Sequence, residues 1–361
     1  MAADIRALTG VRGVAAGLVV LYHFGDVQLT GGGNLDYFRI PLGYLAVDLF
    51  FMLSGFVMGL TYRDKLTVGD VPAFLKFMGK RVARLYPAYF VIGLFYLAKI
   101  AAGLSGDNTL QMFSNWDIVG NLLMLSGWGL YVQPVIGVAW AASAEMGTYL
   151  IVPLLLLVTL RRTPLVCTLV VVAGLLGIAL VAMSGRGSSG PLDVVNGNSF
   201  YPMLRAASGF AIGMGLYRFT STVNRLSALQ QDTVLVVVLA AIAATMVWVR
   251  SDLLLYALLV PLVAVLSRDG RLAQWLFGNA VVYRLGIISY SIYLIHPLFV
   301  SFAVKIWREL GEQAWAYYLG TAVCLVAILV LSEISYRLVE MPGRNAINGW
   351  FRRGGKSRAA A

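Results

Sequence analysis

The stretch Arg6-Ala-Leu-Thr-Gly-Val-Arg12-Gly-Val-Ala-Ala-Gly-Leu-Val-Val-Leu-Tyr-His23-Phe24 is apolar enough to enter a bilayer, yet it carries an arginine and a histidine in its interior. On an α-helix eleven residues advance about 16 Å and turn about 1100°, which leaves Arg12 and His23 about 20° apart on one face. A fixed cation and a titratable base thus share a face at two depths. That spacing suits a ligand with its anionic end near Arg12 and its reactive end near His23.

The rest of the chain repeats the apolar theme. Of 361 residues 59% are hydrophobic and 12% charged, a balance that excludes an ordinary soluble domain. Apolar runs of roughly 17 to 25 residues match a helical bilayer crossing and lack the alternation of barrel strands. The predicted fold is therefore all-α, a polytopic membrane helical bundle. Ten spans are expected, beginning with residues 8–28 and 42–62 and ending with 285–304 and 315–337. No small-residue cleavage site follows the first run, so it is expected to remain as a helix.

Net charge of +11 reflects topology rather than nucleic-acid binding. With both termini cytoplasmic, about three-quarters of the 28 basic residues fall on the inner side, as the positive-inside rule requires. The segment from Trp116 to Tyr131 is short and bounded by Gly127, Gly129 and Pro134. A full crossing there would invert every later loop, so it is expected to form an interfacial or re-entrant helix. Residues 1–342 are read as one integral-membrane domain and 343–361 as a cytoplasmic basic tail, disordered from Arg352 onward. Cys167 and Cys324 lie in apolar runs without metal or redox spacing, and no metal is expected.

Ionisable side chains at membrane depth are costly and point to a functional lining. Here they are Arg12, His23, Asp48, Glu145, Arg205, His296 and Glu333. The chain has two histidines, both inside spans. Imidazole can take and return a proton near neutral pH, but a buried histidine can equally serve a backbone carbonyl or a carboxylate. His296 precedes Pro297, whose kink frees a carbonyl that the ring can satisfy. Glu145, after Trp140 and Ser143, can hold a histidine or pair with Arg205, and Asp48 can play the same part. Glu333 reads as structural. Arg81 and Arg84, three apart on one helical face, can grip phosphates or rest on anionic headgroups.

Several runs together resemble the acyltransferase 3 family of integral-membrane O-acyltransferases, over about Ile5 to Pro342. The run from Arg6 to Tyr22-His23 resembles the family's arginine, ten residues, histidine motif, and Gly43 to Phe56, with Asp48 and Ser54, its second-span motif. Lys80-Arg81-Val-Ala-Arg84 is similar to its Arg-x-x-Arg loop. Further matches are Trp140 to Glu145, Arg205 before Gly209 and Gly213, Ser289 to Pro297, and Tyr336 to Pro342 with Glu340. In the fourth-span motif Ala141 and Ala142 stand where the family commonly has Ser and Leu, and Met146 replaces a second Glu.

The resemblance implies transfer of an acyl group, most often acetyl from cytoplasmic acetyl-CoA, to a hydroxyl of an envelope glycan or another acceptor such as a macrolide. It implies a bacterial plasma-membrane enzyme whose partners are acyl-CoA, the acceptor and membrane lipids. Arg12, Arg81 and Arg84 are then expected to hold the phosphates of the donor. His23 is expected to act as general base, or to carry the acyl group, with Glu145 or Asp48 fixing its tautomer and Arg205 stabilising the oxyanion. The rival readings are a transporter or flippase of a lipid-linked glycan, and a structural scaffold.

Overall fold

The computed structural model describes residues 5–28, 34–35, 40–103, 112–195, 197–223 and 226–357. Within them the chain is helical apart from turns and one short antiparallel pairing of Val27–Gln28 with Asn34–Leu35. The first half contains α1 (Arg6–Gly25), α2 (Ala46–Tyr62), α3 (Val71–Ala101), α4 (Asn115–Leu122), α5 (Trp140–Leu156) and α6 (Pro164–Met183). The second half contains α7 (Tyr201–Val223), α8 (Ala228–Ala244), α9 (Asp252–Leu266) and α10 (Arg271–Leu276). It closes with α11 (Ala280–Ile295), α12 (Pro297–Glu309), α13 (Ala314–Ser335) and α14 (Met341–Ser357).

Local sequence sets most of these ends. Asp70 caps α3 by accepting from the Ala73 N–H at 3.0 Å, with Pro72 in the first turn. Ser227 and Gln230 form a capping box at the start of α8. Pro297 cannot continue the ladder of α11, and α12 leaves it at a bend of 68°. Between α13 and α14 the helix widens into a π-turn, Tyr336–Glu340.

By length and composition, six of the described helical segments can cross a membrane, or seven when α11 and α12 count as one broken span. This supports a membrane helical bundle and falls short of the ten expected spans. The shortfall has a plain cause: α3 carries Lys80, Arg81 and Arg84, α7 is diluted by polar and small residues, and α9 has only 15 residues. The segment after Trp116 forms the eight-residue α4, about 12 Å long and far too short to cross. The C-terminal region is helical through Ser357 rather than disordered from Arg352; Phe351 packs on Gly79 and Gly343 on Pro87 of α3. Residues 358–361 lie outside the described residues.

Two close helix pairs form the centre. In α1 against α11, a Cβ added at Gly286 would lie 1.9 Å from the Thr9 carbonyl oxygen, and one at Gly10 would overlap the carbonyl of Phe277, in the turn between α10 and α11. In α2 against α7, a Cβ at Gly213 would lie 2.0 Å from the Met52 oxygen. Backbones approach this closely only where side chains are absent, the usual route to tight packing between helices in lipid. The segment containing α2 is mostly buried, whereas α6 and α8 expose most of their apolar residues outward.

Gly286→Ala is expected to lower stability by about 1–3 kcal/mol through overpacking. Gly17→Ala, which meets no atom within 4 Å, should not do so. Thermal unfolding of the detergent-solubilised variants compares the two directly; equal midpoints would show that α1 and α11 are free to move apart.

Candidate functional site

The single helix α1 carries both Arg12 and His23 and delivers them to two different cavities. Arg12 lines a small cavity of about 40 Å³ together with Ser54 of α2, Arg84 of α3, Glu145 of α5 and Tyr290 of α11. Its guanidinium lies 5.7 Å from the centre of the Phe50 ring, and its Nε is buried without a hydrogen-bond partner. Glu145 accepts hydrogen bonds from Ser54 at 2.9 Å and from Tyr149, one turn further along its own helix. Glu340, in the π-turn, accepts from Ser291 and lies within electrostatic reach of Arg12 and Arg84. Two arginines, Arg12 and Arg84, thus face one chamber together with Glu145, and Glu340 lies near both.

His23 lines the second cavity, of about 370 Å³, with Tyr22, Asp26, Tyr44, Trp140 and Asp193 among its walls. The ring Nδ1 lies 2.9 Å from the Val19 carbonyl oxygen. A carbonyl can only accept, so Nδ1 carries the proton and Nε2 keeps its lone pair. The His296 ring packs edge-on against it, 4.9 Å between centres. His296 is fully buried, and no hydrogen bond of ordinary geometry reaches either of its ring nitrogens. The Ile292 and Tyr293 carbonyls lie within electrostatic reach of the ring, and Tyr293 is the residue whose carbonyl Pro297 leaves without a helical donor.

The carboxylates are also distributed differently from the sequence reading. Asp48 does not reach His23. Both of its oxygens are taken by Arg205, Nε to Oδ1 at 2.7 Å and Nη2 to Oδ2 at 2.6 Å, and both side chains are wholly buried. Arg205 in turn lies 5.3 Å over the Trp140 ring. Neither member of the pair lines either cavity. Glu145 sits with Arg12 and Arg84, so it neither fixes the His23 tautomer nor pairs with Arg205.

Arg81 and Arg84 separate as well. Arg84 lines the Arg12 cavity, while Arg81 donates to the Tyr62 hydroxyl at 3.1 Å and packs among the rings of Tyr62, Phe77 and Tyr149. Ser143 is a fastener: it donates to the Met124 carbonyl and accepts from the Gly127 N–H at 2.9 Å, which ties the turn after α4 to α5. Glu333 is paired with Arg284 at 2.5 Å, in keeping with a structural role.

A family model described as an acyltransferase domain, Acyl_transf_3, matches residues 5–334. The chain belongs to the acyltransferase 3 family. It is 28% identical over 371 residues to acyltransferase MdmB of Streptomyces mycarofaciens, covering 94% of this chain and 91% of that protein. It is 25% identical over 378 residues to peptidoglycan O-acetyltransferase OatA of Listeria monocytogenes, covering 96% of this chain but 56% of OatA. No solved structure matches it. This acyltransferase 3 chain is thus an enzyme, a membrane-type acyltransferase domain, and its cavities are where acyl-transfer chemistry has to be sought.

Residue-level reading of the sequence missed Ser54, Tyr290 and Tyr293 in the linings of these cavities, and Tyr149 and Glu340 beside them. All but Tyr149 fall in runs that carry the family resemblance, but a tyrosine or serine in an apolar helix gives no signal of its own. Tyr149 could have been found from its position four residues after Glu145 on the same face.

Asp48→Ala strands the buried Arg205 guanidinium and is expected to cost about 3–5 kcal/mol. The double variant Asp48→Ala/Arg205→Met should recover much of that loss. Unfolding midpoints of the two proteins decide the matter, and an Asp48→Ala protein as stable as the parent would remove the structural role.

Proposed function

We propose that the protein is an O-acyltransferase that takes an acyl group, acetyl in the first instance, from cytoplasmic acyl-CoA and places it on a hydroxyl of an extracytoplasmic acceptor. The observation that carries this reading is the presence, on one helix, of a cation in one cavity and of a histidine with its Nε2 lone pair available in the next. Coenzyme A has phosphates at one end and a thioester at the end of a long, narrow arm. Arg12 and Arg84 receive the phosphate end, and the arm runs along α1 toward His23.

In the reaction the acceptor hydroxyl oxygen attacks the thioester carbonyl while His23 Nε2 takes the hydroxyl proton. The new C–O bond forms, the C–S bond breaks, and the imidazolium returns its proton to the departing CoA thiolate. The Val19 carbonyl holds the ring in the required tautomer throughout, a part that sequence reading gave to a carboxylate. Glu145 and Glu340 keep the two arginines in place between turnovers.

The acceptor belongs to the class of hydroxyl-bearing envelope glycans. The likeness to a peptidoglycan O-acetyltransferase supports it, although the chain spans about half of that relative's length. We place the enzyme in the bacterial plasma membrane with ten crossings, the seven recognised by composition together with α3, α7 and α9, and with both termini cytoplasmic. The inward bias of Lys and Arg supports that orientation.

With the protein in nanodiscs, acetyl-CoA and an envelope-glycan extract should yield free CoA at a rate that requires the extract. His23→Ala is expected to reduce that rate about 10²–10⁴-fold, the scale of lost general-base catalysis. Arg12→Ala should mainly raise the KM for acetyl-CoA. An unaltered rate in His23→Ala would overturn the assignment of the base, and failure of acetyl-CoA to bind the parent protein would favour transport of a lipid-linked glycan instead.

A further inference from the structure

The two cavities are separate spaces that meet along a common wall. Val47, in the first turn of α2, and Tyr293, near the end of α11, line both of them. The boundary falls at one level across the bundle. In α2, Phe50, Phe51 and Ser54 face the Arg12 side. In α5, Trp140 lines the His23 side and the next two residues, Ala141 and Ala142, line the other. In α11, Ser289 and Tyr290 belong to the Arg12 cavity, one turn before Tyr293.

The wall is held firmly. The Tyr293 hydroxyl donates to the Val138 carbonyl at 2.8 Å, and Val138 itself lines the His23 cavity. Its ring lies 6.4 Å from that of Phe50, which stands against Arg12, and 6.0 Å from that of His296, which stands against His23. Tyr293 and Val47 are both buried. A thioester coming from the arginines can meet an acceptor beside His23 only at this wall.

We propose that Val47 and Tyr293 form a selectivity partition: the thioester end of the donor passes between them, and the width of that passage limits the transferred group to short acyl chains. This rests on the acyltransfer reading above and adds the class of acyl group to it. A snug apolar passage discriminates by roughly tenfold or more for each added methylene. The Tyr293 hydroxyl, by tethering the ring to Val138, also keeps water in the acceptor cavity away from the thioester.

The test is a donor series of acetyl-, butyryl- and hexanoyl-CoA, with CoA release measured in nanodiscs with and without the envelope-glycan extract. Hexanoyl carries four more methylenes than acetyl, so the parent should lose about 10⁴-fold from acetyl to hexanoyl. Val47→Ala, a small change at a buried site, should raise the hexanoyl-to-acetyl ratio of kcat/KM about tenfold. Tyr293→Phe keeps the ring but loses the tether, and should raise CoA release in the absence of extract. If the parent uses hexanoyl- and acetyl-CoA equally well, or if neither variant moves its readout while His23-dependent acetyl transfer persists, the partition is wrong and the acyltransfer reading stands. If the parent transfers no acyl group at all, both fall together.

Discussion

The buried pair of Arg205 and Asp48 is the constraint on which the arrangement of the bundle depends. An unpaired ion in an apolar interior is prohibitively costly, so the guanidinium must meet both carboxylate oxygens, and only one rotation of α2 against α7 allows it. The close backbone contact at Gly213 and Met52 fixes the same two helices along their length. Asp48 sits next to Val47 and two to six residues before Phe50, Phe51 and Ser54. Setting the rotation of α2 therefore sets which of its residues face the cavities, although the pair itself touches neither.

The second organising feature is the division of charge between the two spaces. Arg12 and Arg84 share one chamber with Glu145, with Glu340 nearby, while His23 lies beyond the wall with His296 at its edge. Keeping His23 away from the arginines leaves its ring to a carbonyl-defined tautomer rather than to a competing ion pair. In the proposed reaction the same separation gives an anionic donor and a neutral hydroxyl acceptor different environments. A π-turn supplies Glu340, and such widened turns recur at functional sites because they redirect one side chain without breaking the helix.

Much of this was legible in the residues. The helical class follows from long apolar runs, the candidacy of Arg12, His23 and Glu145 from the cost of ions at membrane depth, and that of Arg84 from its spacing with Arg81. Partner choice was not legible. Asp48 and Glu145 look equivalent along the chain, each a lone carboxylate in an apolar helix, yet one meets Arg205 from a helix 157 residues away and the other faces Arg12. Arg81 and Arg84 share a helical face in projection, but one is sequestered by three aromatic rings. That the His296 ring packs edge-on against His23 was likewise invisible in the chain order.

By itself, then, the sequence determined that the chain is a bundle of membrane-type helices, that one helix carries a cation and a base on one face, and that the whole resembles one acyltransferase family. These properties are written in composition and in the 3.6-residue period, which are local. Only the tertiary structure decided that Asp48 pairs with Arg205, that the His23 ring meets the Val19 carbonyl rather than a carboxylate, and that Val47 and Tyr293 line both cavities. Those outcomes depend on the rotation and offset of helices distant in the chain, and close approach at Gly10, Gly213 and Gly286 sets them through contacts that no local pattern encodes.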